Sequence, residues 1–341
     1  LLNRAHLDSA PSFVASKDFK VSKHPSRRIS LLLPFLTAFC SGAAAAGQVP
    51  PDPPAVPALE LIVLGSGGPA ALGQAASSHL VLVDGVPRIL VDAGPGAFVR
   101  LGETGLSLKE LDVQLLTHLH ADHAGDLPGL FKARAISAQA PIRFQIFGPE
   151  GRSAKGDAAY FPSTSHFIDL LFGTKGAFAY LADFAGHITF KVKDLPAVPR
   201  AGQQPVVIYN EADLVIRAIP GHHRDAPSVI YRIDHAGKSI TFSGDIDADG
   251  LPNLQKIAAD TTLLVFNAVV LDPPESPPIL YTLHTPPKAI GRLANESRVH
   301  ALLLAHLSSA TDRNRSEVET SIHQSYDRAI TFASDKLRIE P

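Results

Sequence analysis

The chain has almost no sulfur: its 341 residues include one cysteine, Cys40, and no methionine, and tryptophan is absent as well. One thiol can build neither an internal disulfide framework nor a thiolate metal cage, so both are excluded. The missing methionine, with Leu1 as the first residue, reads as an altered or incomplete sequence. Charge of one sign is also lacking: 31 Lys and Arg against 33 Asp and Glu leave a formal net charge of −2. Such a balance gives no global basic field for holding nucleic acid, although a local basic groove stays open. Long apolar runs are missing too, and the stretch 29–39 is too short for an ordinary transmembrane helix.

What is present is 45% hydrophobic and 19% charged residues, the composition of a soluble globular protein with a substantial core. The length allows one large domain or two small ones. Lys17, Lys20, Lys23, Arg27 and Arg28 lead into the apolar run, and Ala44-Ala45-Ala46-Gly47 follows. That is the layout of an export signal with a small-residue cleavage site. Ser26-Arg27-Arg28 before Leu31-Leu32 also has twin-arginine character. Residues 1–46 are therefore expected to be an N-terminal extension and export signal, 47–58 a stiff proline-rich linker, and 59–341 the folded domain. A periplasmic or secreted location through the Sec or twin-arginine route is therefore expected. Cleavage after Ala46 would also remove the only thiol.

Hydrophobic periodicity predicts strands at 59–64, 79–83, 88–91, 113–116, 142–147, 206–209, 214–219, 228–233, 239–242, 263–265 and 301–304. Helices are expected at 97–101, 107–111, 127–138, 288–296 and 317–324. Strands lead each half and helices punctuate them, which fits a layered α/β (α+β) domain with mixed sheets. Segment 157–184 carries Phe161, Phe167, Phe172, Phe178, Tyr180 and Phe184. It either roofs an apolar pocket or packs as core or as a dimer contact, so a homodimer stays open.

The chemistry concentrates in Thr117-His118-Leu119-His120-Ala121-Asp122-His123. In an extended segment alternate side chains point the same way, so His118 and His120 project together. The following turn brings Asp122 and His123 alongside. Imidazole nitrogen and carboxylate oxygen at this density suit zinc or a similar divalent ion. Further isolated ligand types end later strands: His222 and His223 after Gly221, Asp245 after Ser243-Gly244, and His306 after Leu302-Leu303-Leu304-Ala305.

With H-x-H-x-D-H at His118, His120, Asp122 and His123, the sequence from about Leu59 onward resembles the metallo-β-lactamase-fold superfamily of metal-dependent hydrolases. The resemblance implies a four-layered αββα sandwich with the metals at the edge of the two sheets. It assigns His118, His120 and His223 to one ion, with His222 as the runner-up to His223. It assigns Asp122, His123 and His306 to the other, with Asp245 shared. Two divalent ions are implied, Zn2+ first, with Mn2+ and Fe2+ also compatible with the donors. Asp122 is implied to orient the nucleophile or take its proton, and Asp92 to steady a ligand imidazole.

The branch that the sequence resembles most is that of tRNA 3′-end-processing endonucleases and phosphodiesterases. Leu64-Gly65-Ser66-Gly67 is similar to its opening turn, Tyr231-Arg232-Ile233 follows the third histidine, and Leu283-His284-Thr285 resembles its His-Ser/Thr motif. This makes His284 the candidate acid for the leaving oxygen. In that branch a basic arm is often inserted between the Tyr-Arg and Gly-Asp segments, and here only residues 234–241 separate them. Asn267 stands where the branch has a glutamate paired with the leaving-group histidine, and an amide cannot raise an imidazole's proton affinity as a carboxylate does. With the export signal, these departures argue against tRNA as the partner and for a small-molecule ester. The expectation is thus an exported dinuclear hydrolase cleaving a phosphodiester, or next a sulfate ester, by attack of a metal-bridging hydroxide. A lactonase, thioesterase or β-lactamase-like acyl hydrolase is the alternative chemistry. A metal-binding homologue without turnover is the alternative class.

Overall fold

The computed structural model describes residues 56–341 apart from 71, 138–140, 157 and 185–186. The expected export signal and most of the expected linker lie outside the described residues. In chain order the strands are β1 (Leu59–Gly65), β2 (Ser78–Val83), β3 (Val86–Val91), β4 (Val113–Leu115), β5 (Ile142–Pro149), β6 (Ile188–Leu195), β7 (Val206–Glu211), β8 (Leu214–Pro220), β9 (Val229–His235), β10 (Lys238–Phe242), β11 (Leu263–Asn267), β12 (Ala301–Ala305), β13 (Ala329–Phe332) and β14 (Arg338–Ile339). The α-helices are α1 (Ala97–Glu103), α2 (Ala121–Ala124), α3 (Leu127–Ile136), α4 (Thr164–Phe172), α5 (Leu251–Ile257), α6 (Pro287–Glu296), α7 (Ser309–Arg313) and α8 (Arg315–His323).

The strands form two seven-stranded sheets, ordered β14-β1-β2-β3-β4-β5-β6 and β13-β12-β11-β10-β9-β8-β7. Both are mixed. In the first, β1, β2 and β3 meander antiparallel, and β3 through β6 run parallel. In the second, β7 through β10 are antiparallel and β10 through β13 parallel.

Alternation of side chains explains why β1 reads as an unbroken apolar run. Leu59, Leu61 and Val63 enter the space between the sheets, where they meet the cluster that includes Ile216, Tyr231 and Ile233. Ile62 and Leu64 face outward to Leu101 of α1 and Leu127 and Phe131 of α3. The second sheet repeats the arrangement: Val265 and Leu303 point inward, and Leu264, Phe266 and Leu302 pack on Leu254, Ile290, Leu293 and Ile322 of α5, α6 and α8. Sheets covered on both faces favour continuous apolar strands. Each fully buried aliphatic side chain contributes about 1.5–3 kcal/mol. The result is an αββα sandwich, as the sequence resemblance implies.

At the periphery one expected helix is absent, and one of the readings left open for the aromatic segment holds. Residues 107–111 form only a turn, closed by Leu111 N–H donating to Leu108 O at 3.1 Å, because five residues between a loop and a buried strand leave room for one such bond. The aromatic segment is chiefly core. Phe172 of α4 lies 5.3 Å from Phe131, ring to ring, and Phe178 and Phe184 pack on the same outer cluster.

Two bonds stitch the sheets together next to the strand ends. The buried Tyr231 hydroxyl on β9 donates to Leu116 O at 2.9 Å, and Val229 N–H donates to Thr117 O at 2.8 Å. A third tie comes from the C-terminal segment. Asp335 accepts from Ser66 N–H, Ser66 Oγ, Ala75 N–H and Arg100 Nε, all within 2.8–3.1 Å. Among the described residues no helix is long and apolar enough to cross a membrane.

Candidate metal centre

All the singled-out donors leave the carboxyl ends of strands that run in one direction within each sheet. Asp92 follows β3 and His118 to His123 follow β4. His223 follows β8, Asp245 follows β10 and His306 follows β12. Crevices at such strand ends are where open α/β sheets bind ligands. Three of these turns use the left-handed region: Asp92 at φ 58°, Gly244 at 58° and His306 at 53°. For the two non-glycine residues this costs about 1–3 kcal/mol each, strain that characteristically collects at functional sites. Gly244 has a second constraint, since a Cβ there would stand 2.8 Å from Thr117 Cβ. Gly68, in the turn after β1, similarly lets the His306 ring approach: a Cβ would be 3.0 Å from its Nδ1.

The donors converge on one carboxylate oxygen. Asp245 Oδ2 lies 3.6 Å from His306 Nε2, 3.8 Å from His123 Nε2, 3.9 Å from His223 Nε2, 3.9 Å from His284 Nδ1 and 4.0 Å from His118 Nε2. These separations exceed hydrogen-bond range. They are the spacing of ligands that share a cation rather than bond one another, given ligand–zinc distances of about 2.0–2.2 Å. Among the described residues four sets of side chains place their ligand atoms within 4.8 Å of each other: His118, His120 and His223; His118, His123 and Asp245; Asp122, His123 and His306; and, apart from the Asp245 cluster, His222, Asp247 and Asp249. His306 Nε2 is 3.2 Å from Asp122 Oδ2, and His120 Nδ1 is 3.1 Å from His118 Nε2.

His123 gives the sharpest test of fit. Its Nδ1 is 2.8 Å from Asp92 Oδ2, while its buried Nε2 has no hydrogen-bond partner and faces Asp122 and Asp245. A carboxylate behind one ring nitrogen fixes the tautomer and turns the other lone pair toward an ion. Asp92 itself is held by Thr117 N–H at 2.7 Å and Thr117 Oγ1 at 2.8 Å. Electrostatics agree. Burial drives His118 well below its ordinary pKa and lowers His120, leaving neutral imidazoles. Burial also opposes a charge on His123, yet Asp92 and Asp245 outweigh it and hold that group at about 9. Burial would raise Asp245, but His306, His123, His284 and His118 around it keep its carboxyl well below the ordinary value. The hollow therefore combines neutral imidazoles at His118 and His120 with an ionised Asp245, and at His123 a divalent cation would displace the proton that the carboxylates hold there, a donor set suited to divalent cations.

The structure separates the adjacent histidines after β8. His223 joins the cluster, with ring centroids 5.2 Å from both His118 and His120. His222 turns away to Asp247, 2.7 Å from Nδ1. Asn267 differs from its expected place. It does not pair with His284; its Nδ2 donates to Asp245 Oδ1 at 2.7 Å, so it orients the central carboxylate from β11. His284 lies over the cluster, 5.4 Å from His223 ring to ring, with Nδ1 buried and unpartnered. Burial lowers its pKa to about 4, so its imidazole is neutral near pH 7. It also lines a cavity of about 700 Å³ with Gly68, Leu72, Leu280, Leu307 and Arg313. Sequence reasoning passed over Asp225. Its carboxylate is 3.1 Å from His223 Nε2 and 3.7 Å from His120 Nε2. The one signal available was its place two residues after a ligand.

Residues 87–307 match the model of the Beta-lactamase superfamily domain. The chain is 26% identical over 298 residues to Ribonuclease Z of Mycobacterium sp. (strain KMS), which spans 83% of this chain and 96% of that protein. Among solved structures, the human tRNase Z short form superposes with TM-score 0.61 at 22% identity, covering 83% of this chain and 99% of its own. The metallo-beta-lactamase fold protein YhfI from Bacillus subtilis superposes with TM-score 0.58 at 17% identity, over 83% and 99% of the two chains. The Ribonuclease Z likeness overturns the sequence expectation that set tRNA aside in favour of a small-molecule ester. That expectation leaned on the missing arm, on Asn267 and on the export signal. An arm governs how a polyanion is gripped, not which bond is hydrolysed, and Asn267 serves Asp245 rather than His284.

Proposed function

The chain belongs to the beta-lactamase superfamily, and from that premise we propose that this metal-dependent hydrolase cleaves phosphodiester bonds in RNA, tRNA precursors foremost. The observation that carries the reading is the set of five imidazole nitrogens around Asp245 Oδ2, all at 3.6–4.0 Å. The names of the relatives support the substrate class. His118, His120 and His223 would hold one divalent cation and Asp122, His123 and His306 the other, with Asp245 within reach of both sets. The chemistry that bound cations would supply there is an acidified water and a polarised substrate oxygen. Zinc is the first choice for such donors, and manganese and iron share them.

The chain's own groups do the rest. Asp92 keeps the proton on His123 Nδ1, so Nε2 stays a donor of electrons to the hollow. Asp122 retains partial exposure, with 15% of its side chain open, and there it orients the attacking water and accepts its proton. His284, neutral and unpartnered at Nδ1, offers a hydrogen bond to the leaving oxygen. The adjoining cavity of about 700 Å³ receives the nucleotide on that side of the bond. The basic and apolar stretches within residues 1–46 support an exported enzyme, a reading that fractionation of cells expressing the full chain tests directly.

The decisive assay offers protein of measured Zn2+, Mn2+ or Fe2+ content four substrates: a tRNA precursor with a 3′ trailer, a p-nitrophenyl phosphodiester, p-nitrophenyl sulfate and a lactone. Cleavage of the tRNA precursor and of the phosphodiester is expected. Activity confined to the lactone would reject the reading, and so would two bound ions with no turnover on any substrate.

A further inference from the structure

The loop that closes the first ligand set contains a carboxylate that belongs to no part of the H-x-H-x-D-H, His, Asp, His pattern. His223 Nδ1 is 3.0 Å from Leu283 O, an acceptor, so its proton resides there and Nε2 presents a lone pair. Yet the neighbours of Nε2 are themselves acceptors: Asp225 Oδ1 at 3.1 Å and Asp245 Oδ2 at 3.9 Å. In the neutral imidazole, the form that ligates metals, three electron-rich atoms then face one another. A cation between them satisfies all three, and two donors each about 2.0–2.2 Å from one ion stand about this far apart.

Resting on the two-cation reading above, we propose that Asp225 is a further protein ligand to the ion held by His118, His120 and His223, filling in the resting enzyme the position that substrate later takes. The placement of the loop supports this. Ala226 N–H donates to His223 O at 2.9 Å, which folds the chain tightly enough to turn Asp225 back over the histidine. Arg152 donates to the main-chain oxygens of Arg224 and Asp225 and lies 5.3 Å over the Phe161 ring. Phe161 in turn stands 5.7 Å from the His120 ring. The backbone of the loop is thus clamped, whereas the Asp225 side chain is half-exposed at 50%. A fixed backbone with a free carboxylate suits a ligand that swings off when a phosphate oxygen arrives. Carboxylate for phosphate is an exchange of one hard oxygen donor for another.

The test titrates the metal-free full-length chain with Zn2+ by calorimetry and records visible spectra of the Co2+-loaded protein. Asp225→Ala is compared with Asp225→Asn and with Asp183→Ala, a control that removes an exposed carboxylate of the outer aromatic segment. Asp225→Ala is expected to weaken the affinity of one of the two ions by about 10–100-fold, the scale of losing a group that supports a site. It should also alter the Co2+ spectrum, while Asp225→Asn falls between and Asp183→Ala matches wild type. Circular dichroism confirms that each variant folds. Two ions bound with wild-type affinity and an unchanged spectrum in Asp225→Ala overturn this ligand alone. A wild-type chain that takes up fewer than two ions overturns the two-cation reading and this ligand with it.

Discussion

The two sheets furnish the hollow in opposite ways. The end of β4 delivers four donors from one loop, His118 through His123, whereas the second sheet delivers one at a time: His223 after β8, Asp245 after β10 and His306 after β12. The contiguous set is arranged by local backbone, because an extended pair followed by the short α2 turns all four side chains to one side. The dispersed set is arranged by sheet register. Asp245 is aimed by Asn267 from β11, and His306 by the parallel pairing that brings Ala305 beside Asn267. A local motif tolerates change elsewhere in the fold. Donors placed by register depend on every strand between them.

That contrast can be broken experimentally. The largest effect is expected from the dispersed side. Asp245→Ala removes the oxygen that all five imidazoles face, and kcat/KM should fall by about 10³-fold or more, the scale of deleting a preorganised charge from an active site. Ion content measured on the same protein should fall with it. Next comes the contiguous side. Asp92→Asn leaves every donor in place but loosens His123, so affinity or activity should drop about 10–100-fold. If Asp92→Asn costs as much as Asp245→Ala, the two sides are equally dependent on support and the contrast fails.

The smallest effect is expected at the tie between C-terminus and first sheet. Asp335→Asn weakens the bonds to Ser66, Ala75 and Arg100 and should lower stability by about 1–3 kcal/mol, read by denaturant unfolding, with little change in turnover. Burial opposes ionisation of Asp335, but the Ala75 N–H, Arg100 and Ser66 together hold its pKa below the ordinary carboxylate value. A depressed folded-state pKa stabilises above the unfolded value, and the gain is lost as pH falls through the folded one. The gap between wild type and Asp335→Asn should therefore be full near neutrality and close in acid.

The same contrast explains what could be read from sequence. H-x-H-x-D-H declares itself because its members are neighbours. Single residues such as Asp245 and His306 carried meaning only through resemblance to known chains. Only the resemblance favours His223 over His222, and the structure shows why one alone serves: adjacent residues leave a strand end in opposite directions, toward Asp247 and toward the cluster. Asp225 looked like any exposed loop carboxylate. The strands covered on both faces were legible as apolar runs, while β6 was not, because it alternates with exposed Thr189, Lys191 and Lys193 at the sheet edge. Edge strands β13 and β14 are short and half-exposed for the same reason. The long-range Asn267–Asp245 bond has no local signature at all.

The hydrogen bond from Tyr231 to Leu116 O has a thermodynamic consequence for selectivity. It fastens the floor of one donor set to the floor of the other without involving any donor. The gap between them is therefore a constant of the scaffold and not a quantity that each ion adjusts to itself. Ions of different radius must compete for a mould of given width, so a substitution such as Tyr231→Phe should blur the ranking among zinc, manganese and iron more than it weakens any one of them.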